Sequence, residues 1–235
     1  MTNNKIINVE RSIIIACDVD LKEYEQLVKE TCQIEKIGGY KVGFYLGLKY
    51  GLPTVVQIAR KYTDKPIIYD HQKACTDIPD TGEKFVKVCK DSGIDAVIFM
   101  AQSGPATLKA WIKAAQDQKI KVIVGGLMTH SQYKRSEGGF ISDEAVYEIY
   151  DIAASLGVQD YVVPGNKPEE ISKIKKIIES KKIIPIFYAP GFLSQKGDIS
   201  EAGKAAGKKW HAIVGRGIYE AKDVRKAALE LSNKI

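Results

Sequence analysis

Eight short apolar runs, with amphipathic stretches between them, constrain this chain more than any other feature. They are "SIIIACD" (12–18), "GYKVG" (39–43), "PIIYD" (66–70), "DAVIFM" (95–100), "KVIVGG" (121–126), "DYVVPG" (160–165), "IPIFYAPG" (184–191) and "HAIVGRG" (211–217). A strand with one wet face alternates polar and apolar residues, whereas continuous β-branched runs are the pattern of parallel strands covered on both faces. Helical periodicity fills the gaps at 21–32 (after Asp20 as N-cap), 53–62, 81–92 (before Gly93), 105–118, 142–156, 168–180 and 218–232. A shorter, weaker helix is expected around 198–207. Eight strand–helix units in about this length predict a (β/α)8 TIM barrel, one domain over 1–235, since no Pro/Gly/Ser-rich linker or composition shift divides the chain. The competing doubly wound sheet wants a glycine-rich turn after its first strand, and "ACDVDLKEYE" has no glycine.

Composition narrows the function classes. None of the apolar runs is long enough to span a bilayer, and "MTNNKIINVERS" has neither an apolar signal core nor a cleavage site. A cytoplasmic protein without a membrane partner is expected. Four cysteines show no metal-type spacing, so reduced thiols and no zinc site are expected. The net charge of +6 comes from 35 basic residues, only five of them arginines, interleaved with acidic ones. Its densest cluster, "KPEEISKIKKIIESKK", carries isoleucines at helical spacing and reads as a solvated helix face rather than a nucleic-acid surface. Bulk basicity instead favours small anionic substrates.

Barrel active sites form at the C-terminal ends of the strands. Those ends carry Asp18, then Lys41, then Asp70 with Lys73 and Asp77, then "LMTH" with Thr129, all converging on one mouth. Any one of these charges could be satisfied by a neighbour. Four or five together cost more than an apolar filling and point to chemistry. The loops after strands seven and eight, where this fold commonly binds phosphate, read "APGFLSQKGD" and "VGRGIYEA". There Arg216, between Gly215 and Gly217 and ahead of a helix, has the flanking glycines and bidentate donor that suit an anion.

In this order, Asp18, "YKVGF" with Lys41, "DHQKACTDIP", "LMTH", "APGFLSQKGD" and "VGRGIY" resemble the orotidine 5'-phosphate decarboxylase family in its shorter archaeal-type form, from about residue 12 to 220. The resemblance implies a cofactor-free, homodimeric barrel that converts orotidine 5'-phosphate to UMP and CO2, with no metal. It implies a catalytic array of Lys41, Asp70, Lys73 and Asp77, the last contributed to the partner subunit's site. Asp18 and Thr81 (again across the dimer) would hold ribose hydroxyls, and Thr129 would read the pyrimidine. Gln195 and Arg216 would hold the phosphate under a loop at 191–197, and Ile78, Pro190 and Gly215 complete the implied substrate-binding set.

These residue types fit the reaction. Loss of CO2 from C6 leaves a vinyl carbanion without a carbonyl to delocalise it, and Lys73, an ammonium between carboxylates, is the implied proton donor. One departure is spacing: the family's D-x-K-x-x-D is D-x-x-K-x-x-x-D here. Positions i and i+3 of a strand face opposite sides, so Lys73 can join Asp70 only past a bulge or strand end, expected at 71–72 with a second excursion near Cys75. The other is Asp80, where an amide is common. Sister enzymes, hexulose-phosphate synthases and keto-gulonate-phosphate decarboxylases, use a divalent metal and typically a glutamate at the Lys41 position; a lysine there repels a cation. A non-catalytic nucleotide-binding barrel would need Gln195 and Arg216 but not the charge array.

Overall fold

A computed structural model describes residues 5–71, 77–193 and 199–235. The eight apolar runs form β1 (Arg11–Ala16), β2 (Ile37–Val42), β3 (Ile67–Asp70), β4 (Ala96–Phe99), β5 (Lys121–Gly125), β6 (Asp160–Val162), β7 (Ile186–Pro190) and β8 (Trp210–Val214). Each pairs in parallel with the next, and β8 returns to β1 from Arg11↔Trp210 to Ile15↔Val214, closing the barrel. The predicted (β/α)8 barrel is therefore the fold.

Two apolar layers explain the unbroken runs. Ile13, Ile15, Tyr40, Val97 and Phe187 point outward beneath the helices. Ile14, Ile68, Ile98, Ile123, Val162, Ile186 and Tyr188 fill the interior, joined by Ile6 and Ile7 from the segment before β1. A side chain on Gly38 would strike Ser12 and Ile7, which places that segment at the floor, where the strands begin. The interior is not wholly apolar there. Ser12 Oγ lies 2.7 Å from His211 Nδ1, and Tyr188 donates to Asp160 Oδ1 at 2.9 Å.

Helices α1 (Leu21–Thr31), α2 (Phe44–Tyr50), α3 (Leu52–Arg60), α4 (Gly82–Asp91), α5 (Pro105–Asp117), α6 (Asp143–Ser155), α7 (Pro168–Ser180), α8 (Glu201–Ala206), α9 (Arg216–Tyr219) and α10 (Val224–Ser232) surround the strands. Asp20 caps α1 as expected, in a capping box in which its backbone N–H donates to Glu23 at 3.2 Å. Two expectations need correction. The helix expected at 218–232 is two: α9 ends at Tyr219 with Glu220 as its C-cap, and Asp223 caps α10 by accepting from the Lys226 N–H at 2.8 Å. Helix α2 was not expected; Gly51, at φ +78°, separates it from α3. No helix among the described residues is long and apolar enough to cross a membrane.

Candidate active site

The strand ends that carry charge in the sequence share one mouth, and its centre is an ion pair. Lys41 pairs in register with Ile68, two residues before Asp70, so both side chains point inward on neighbouring strands. The Lys41 ammonium donates to Asp70 Oδ2, with only 6% and 0% of the two residues exposed. Such a pair, removed from water on both sides, costs several kcal/mol to desolvate per ion, which offsets much of its mutual attraction. The Cys17 N–H bonds to the Lys41 carbonyl at 2.8 Å, which locks the ends of β1 and β2 together and sets exposed Asp18 beside Gly43. Burial, then the Asp18 charge, pushes the Cys17 thiol up, with Lys41 opposing; this sulfur stays protonated and is no nucleophile. Burial likewise raises the Tyr219 phenol, with Asp18 adding and Arg216 opposing, so the ends of β1 and β8 share one field.

At the next strand end, β3 stops at Asp70 and His71 is already outside the ladder. Its ring packs at 4.2 Å between centroids on Phe85 and 5.7 Å from Trp111. Burial lowers its pKa against the pull of Asp70, and its buried Nδ1 has no hydrogen-bond partner among the described residues. Lys73, Cys75, the excursion expected near Cys75 and all but His71 of the one expected at 71–72 lie outside the described residues, as does Gln195.

Beyond that segment Asp77 and Ile78 are exposed and Thr81 is half-buried. Thr81 Oγ1 and Trp111 Nε1 both donate to the Ile78 carbonyl, at 2.8 and 3.0 Å. Asp77 makes no hydrogen bond or ion pair among the described residues. Within one chain, neither Asp77 nor Thr81 is bonded to the Lys41–Asp70 pair.

The other half of the mouth is built mainly from backbone. Exposed Thr129 offers its carbonyl to Asn166 Nδ2 at 3.0 Å, tying the loops after β5 and β6. Asn166, at a strand end but with no signal of its own role, is a contact that sequence reasoning missed; so is the Trp111 bond. Pro190 ends β7, and its carbonyl presses on Gly165 so closely that a Cβ there would lie 1.6 Å away. Past it, Ser200 Oγ donates to the Gly191 carbonyl at 2.7 Å, and Leu193 pairs antiparallel with Ile199. Gly215 precedes exposed Arg216 and accepts the Ile218 N–H at 2.9 Å. A Cβ on Gly215 would stand 3.2 Å from the Tyr219 ring, a tight contact that the ring would have to ease by a few tenths of an ångström. The long loop at 131–142 is braced by Lys134–Glu170 at 3.1 Å and Lys167–Glu137 at 3.2 Å, and leaves Phe140 95% exposed.

Comparison with known proteins agrees with this arrangement. The sequence profile of the Orotidine 5'-phosphate decarboxylase / HUMPS family matches residues 11–231. The chain is 34% identical over 224 residues to the orotidine 5'-phosphate decarboxylase of Methanosarcina barkeri, covering 95% of this chain and 94% of that one. The enzyme of Methanosarcina mazei is 31% identical over 228 residues, covering 97% of each. The crystal structure of orotidine 5'-monophosphate decarboxylase from Methanocaldococcus jannaschii complexed with the inhibitor BMP superposes with a TM-score of 0.80 at 26% identity, over 96% of this chain and 98% of that chain. With that full-length match, on a barrel whose mouth carries Lys41 and Asp70 where the motifs require them, the chain belongs to the orotidine 5'-phosphate decarboxylase / HUMPS family.

Proposed function

We propose that this chain, acting as one barrel domain in the cytoplasm, decarboxylates orotidine 5'-phosphate to UMP and CO2, the closing step of pyrimidine nucleotide synthesis. The observation that carries this reading over the metal-dependent sisters is the buried Lys41–Asp70 pair. An ammonium already occupies the carboxylate a divalent ion would need, and its charge opposes a second cation.

The substrate phosphate would lie against Arg216 and Gln195, with Gly215 and Pro190 shaping the pocket, Thr129 reading the ring and Asp18 the ribose. The orotate carboxylate would then enter beside Asp70, whose charge opposes it while Lys41 fixes the aspartate's position. The C6–CO2 bond breaks, its electron pair remains on C6, CO2 leaves, and Lys73 delivers a proton to C6. Two unit charges about 4 Å apart interact by roughly 4 kcal/mol at an effective dielectric near 20. Rate enhancements at the upper end need about 20 kcal/mol. The repulsion is therefore a minor part, and fixed charges that match the carbanion, with phosphate binding used to close the 191–197 loop, must contribute most. In the homodimer we propose, Asp77, Ile78 and Thr81 complete the partner's site; the absence of any bond from Asp77 to the described residues of its own subunit supports this.

The test is the ultraviolet loss of orotidylate absorbance with purified protein in EDTA. Turnover that survives chelation is expected. Turnover restored only by a divalent metal would favour a sister activity, and none under any condition would end the proposal.

A further inference from the structure

The segment that would cross the dimer, residues 77–81, must hold an angle, yet it has few means of doing so. Asp77 and Ile78 are exposed, Ile78 by 57%, and the side chain of Asp77 has no partner among the described residues. The bonds from Thr81 to the Ile78 carbonyl, from Oγ1 at 2.8 Å and from the backbone N–H at 3.3 Å, are local and travel with the turn. Among the described residues, one hydrogen bond ties this turn to an element other than α4: Trp111 Nε1 to the Ile78 carbonyl, 3.0 Å.

That donor is held firmly. Trp111 is 2% exposed, and its ring lies 4.9 Å from Phe85 on α4 and 5.4 Å from Phe99 on β4, centroid to centroid. The first residue of α4, Gly82, sits against the indole edge, where a Cβ would come within 2.6 Å of Cδ1. His71, directly after Asp70, stacks on the same ring at 22°. The indole is thus wedged between the strand end that carries its own subunit's carboxylate and the turn that would serve the other subunit.

We propose that Trp111 is a positioning residue for the neighbouring subunit's reaction: by holding the Ile78 carbonyl, its N–H aims Asp77 and Thr81 across the dimer. The proposal rests on the decarboxylase and shared-site reading above. Packing alone would ask only for a flat apolar ring, which phenylalanine supplies. The indole N–H is the part that packing does not explain.

Trp111→Phe keeps a ring in the stack and removes the donor. Losing one net hydrogen bond from a positioned group should lower kcat/KM about five- to tenfold. A destabilised barrel would lower it too, so the decisive measurement uses mixed dimers, made by co-expression with two affinity tags. In a dimer of Trp111→Phe with Lys73→Ala, the site that keeps its Lys73 receives Asp77 and Thr81 from the subunit whose Trp111 is intact. Full wild-type turnover per intact Lys73 site is expected. Gly82→Ala, which crowds the indole without weakening the helix, should show the same loss and the same rescue. Mixed-dimer sites as slow as the Trp111→Phe homodimer, or a Trp111→Phe enzyme with unchanged kcat and KM, would overturn the proposal. Failure of the underlying reading looks different: a wild-type protein without turnover removes the decarboxylase. Failure of Lys73→Ala and Asp77→Asn to complement one another removes the shared site, and the proposal with it.

Discussion

Lys41 and Asp70 show how much a single pair of residues can commit the molecule to. Asp70 is fully buried, and the Lys41 ammonium meets it inside the barrel mouth. Lys41→Ala should lower unfolding free energy by up to about 3–5 kcal/mol, because it breaks a buried ion pair, and should abolish turnover as well. Replacing both partners, with Lys41→Met and Asp70→Leu, should return most of that stability, since a buried pair is often no better than an apolar filling of similar volume. Turnover should stay absent. Urea midpoints for the two proteins, set beside their activities, decide the matter. If the double variant were as unstable as the single one, the pair would be holding the fold rather than serving the site.

The β/α elements were readable because each strand is covered on both faces, so its whole length is apolar and nothing in the pattern competes with the assignment. Where the chain depends on a local stop instead, reading was poorer. The apolar spacing after Arg216 (Ile218, Ala221, Val224, Ala228, Leu231) runs through the break between α9 and α10, and only Asp223, an acidic residue among many, marks it. Charged strand ends announced Lys41 and Asp70, because charge at a barrel mouth is conspicuous. The Trp111–Ile78 and Asn166–Thr129 bonds join positions distant in the chain through a carbonyl, which leaves no mark on residue type. Gly165 belongs to the same class: its role is that the Pro190 carbonyl occupies the space of a side chain. Gly165→Ala must push β7's exit away from β6, and backbone cannot yield as a side-chain tip would. A loss of about 1–3 kcal/mol is expected from overpacking. Because Pro190 and Gly191 lead into the proposed phosphate loop, KM for orotidylate should rise more than kcat falls. An unchanged melting temperature and unchanged KM would show that the two loops are not in contact.

At the scale of the whole barrel, the two ends of the interior are set for different tasks. The mouth holds the Lys41–Asp70 ion pair, whereas the floor holds two titratable groups whose charged forms burial disfavours. On β6, burial pushes Asp160 up to about 7, opposed by the hydrogen bond from Tyr188 on β7 and the charge of Lys121 on β5. On β8, burial pushes His211 down to about 3, where it meets Ser12 of β1 and the Tyr188 ring at 4.8 Å. The two act oppositely on stability. Asp160, raised in the folded state, contributes stability that is full below its ordinary value of 3.8 and is lost as pH rises through about 7. His211, depressed, contributes stability present above 6.5 and lost as pH falls towards about 3. Asp160→Asn separates them, because the amide keeps an acceptor for Tyr188 and cannot ionise. The stability of the variant relative to the wild type should climb between pH 3.8 and about 7 and then level off, leaving the variant the more stable protein in mild alkali. Its own stability should fall towards acid, with the His211 contribution no longer offset. The pH profile of kcat should not move, since Asp160 stands at the floor and Lys41 and Asp70 at the mouth. Chemical denaturation of both proteins across that pH range measures the difference curve directly. A flat curve would mean that Asp160 is already ionised in the folded barrel at neutral pH, with Lys121 rather than Tyr188 as its working partner.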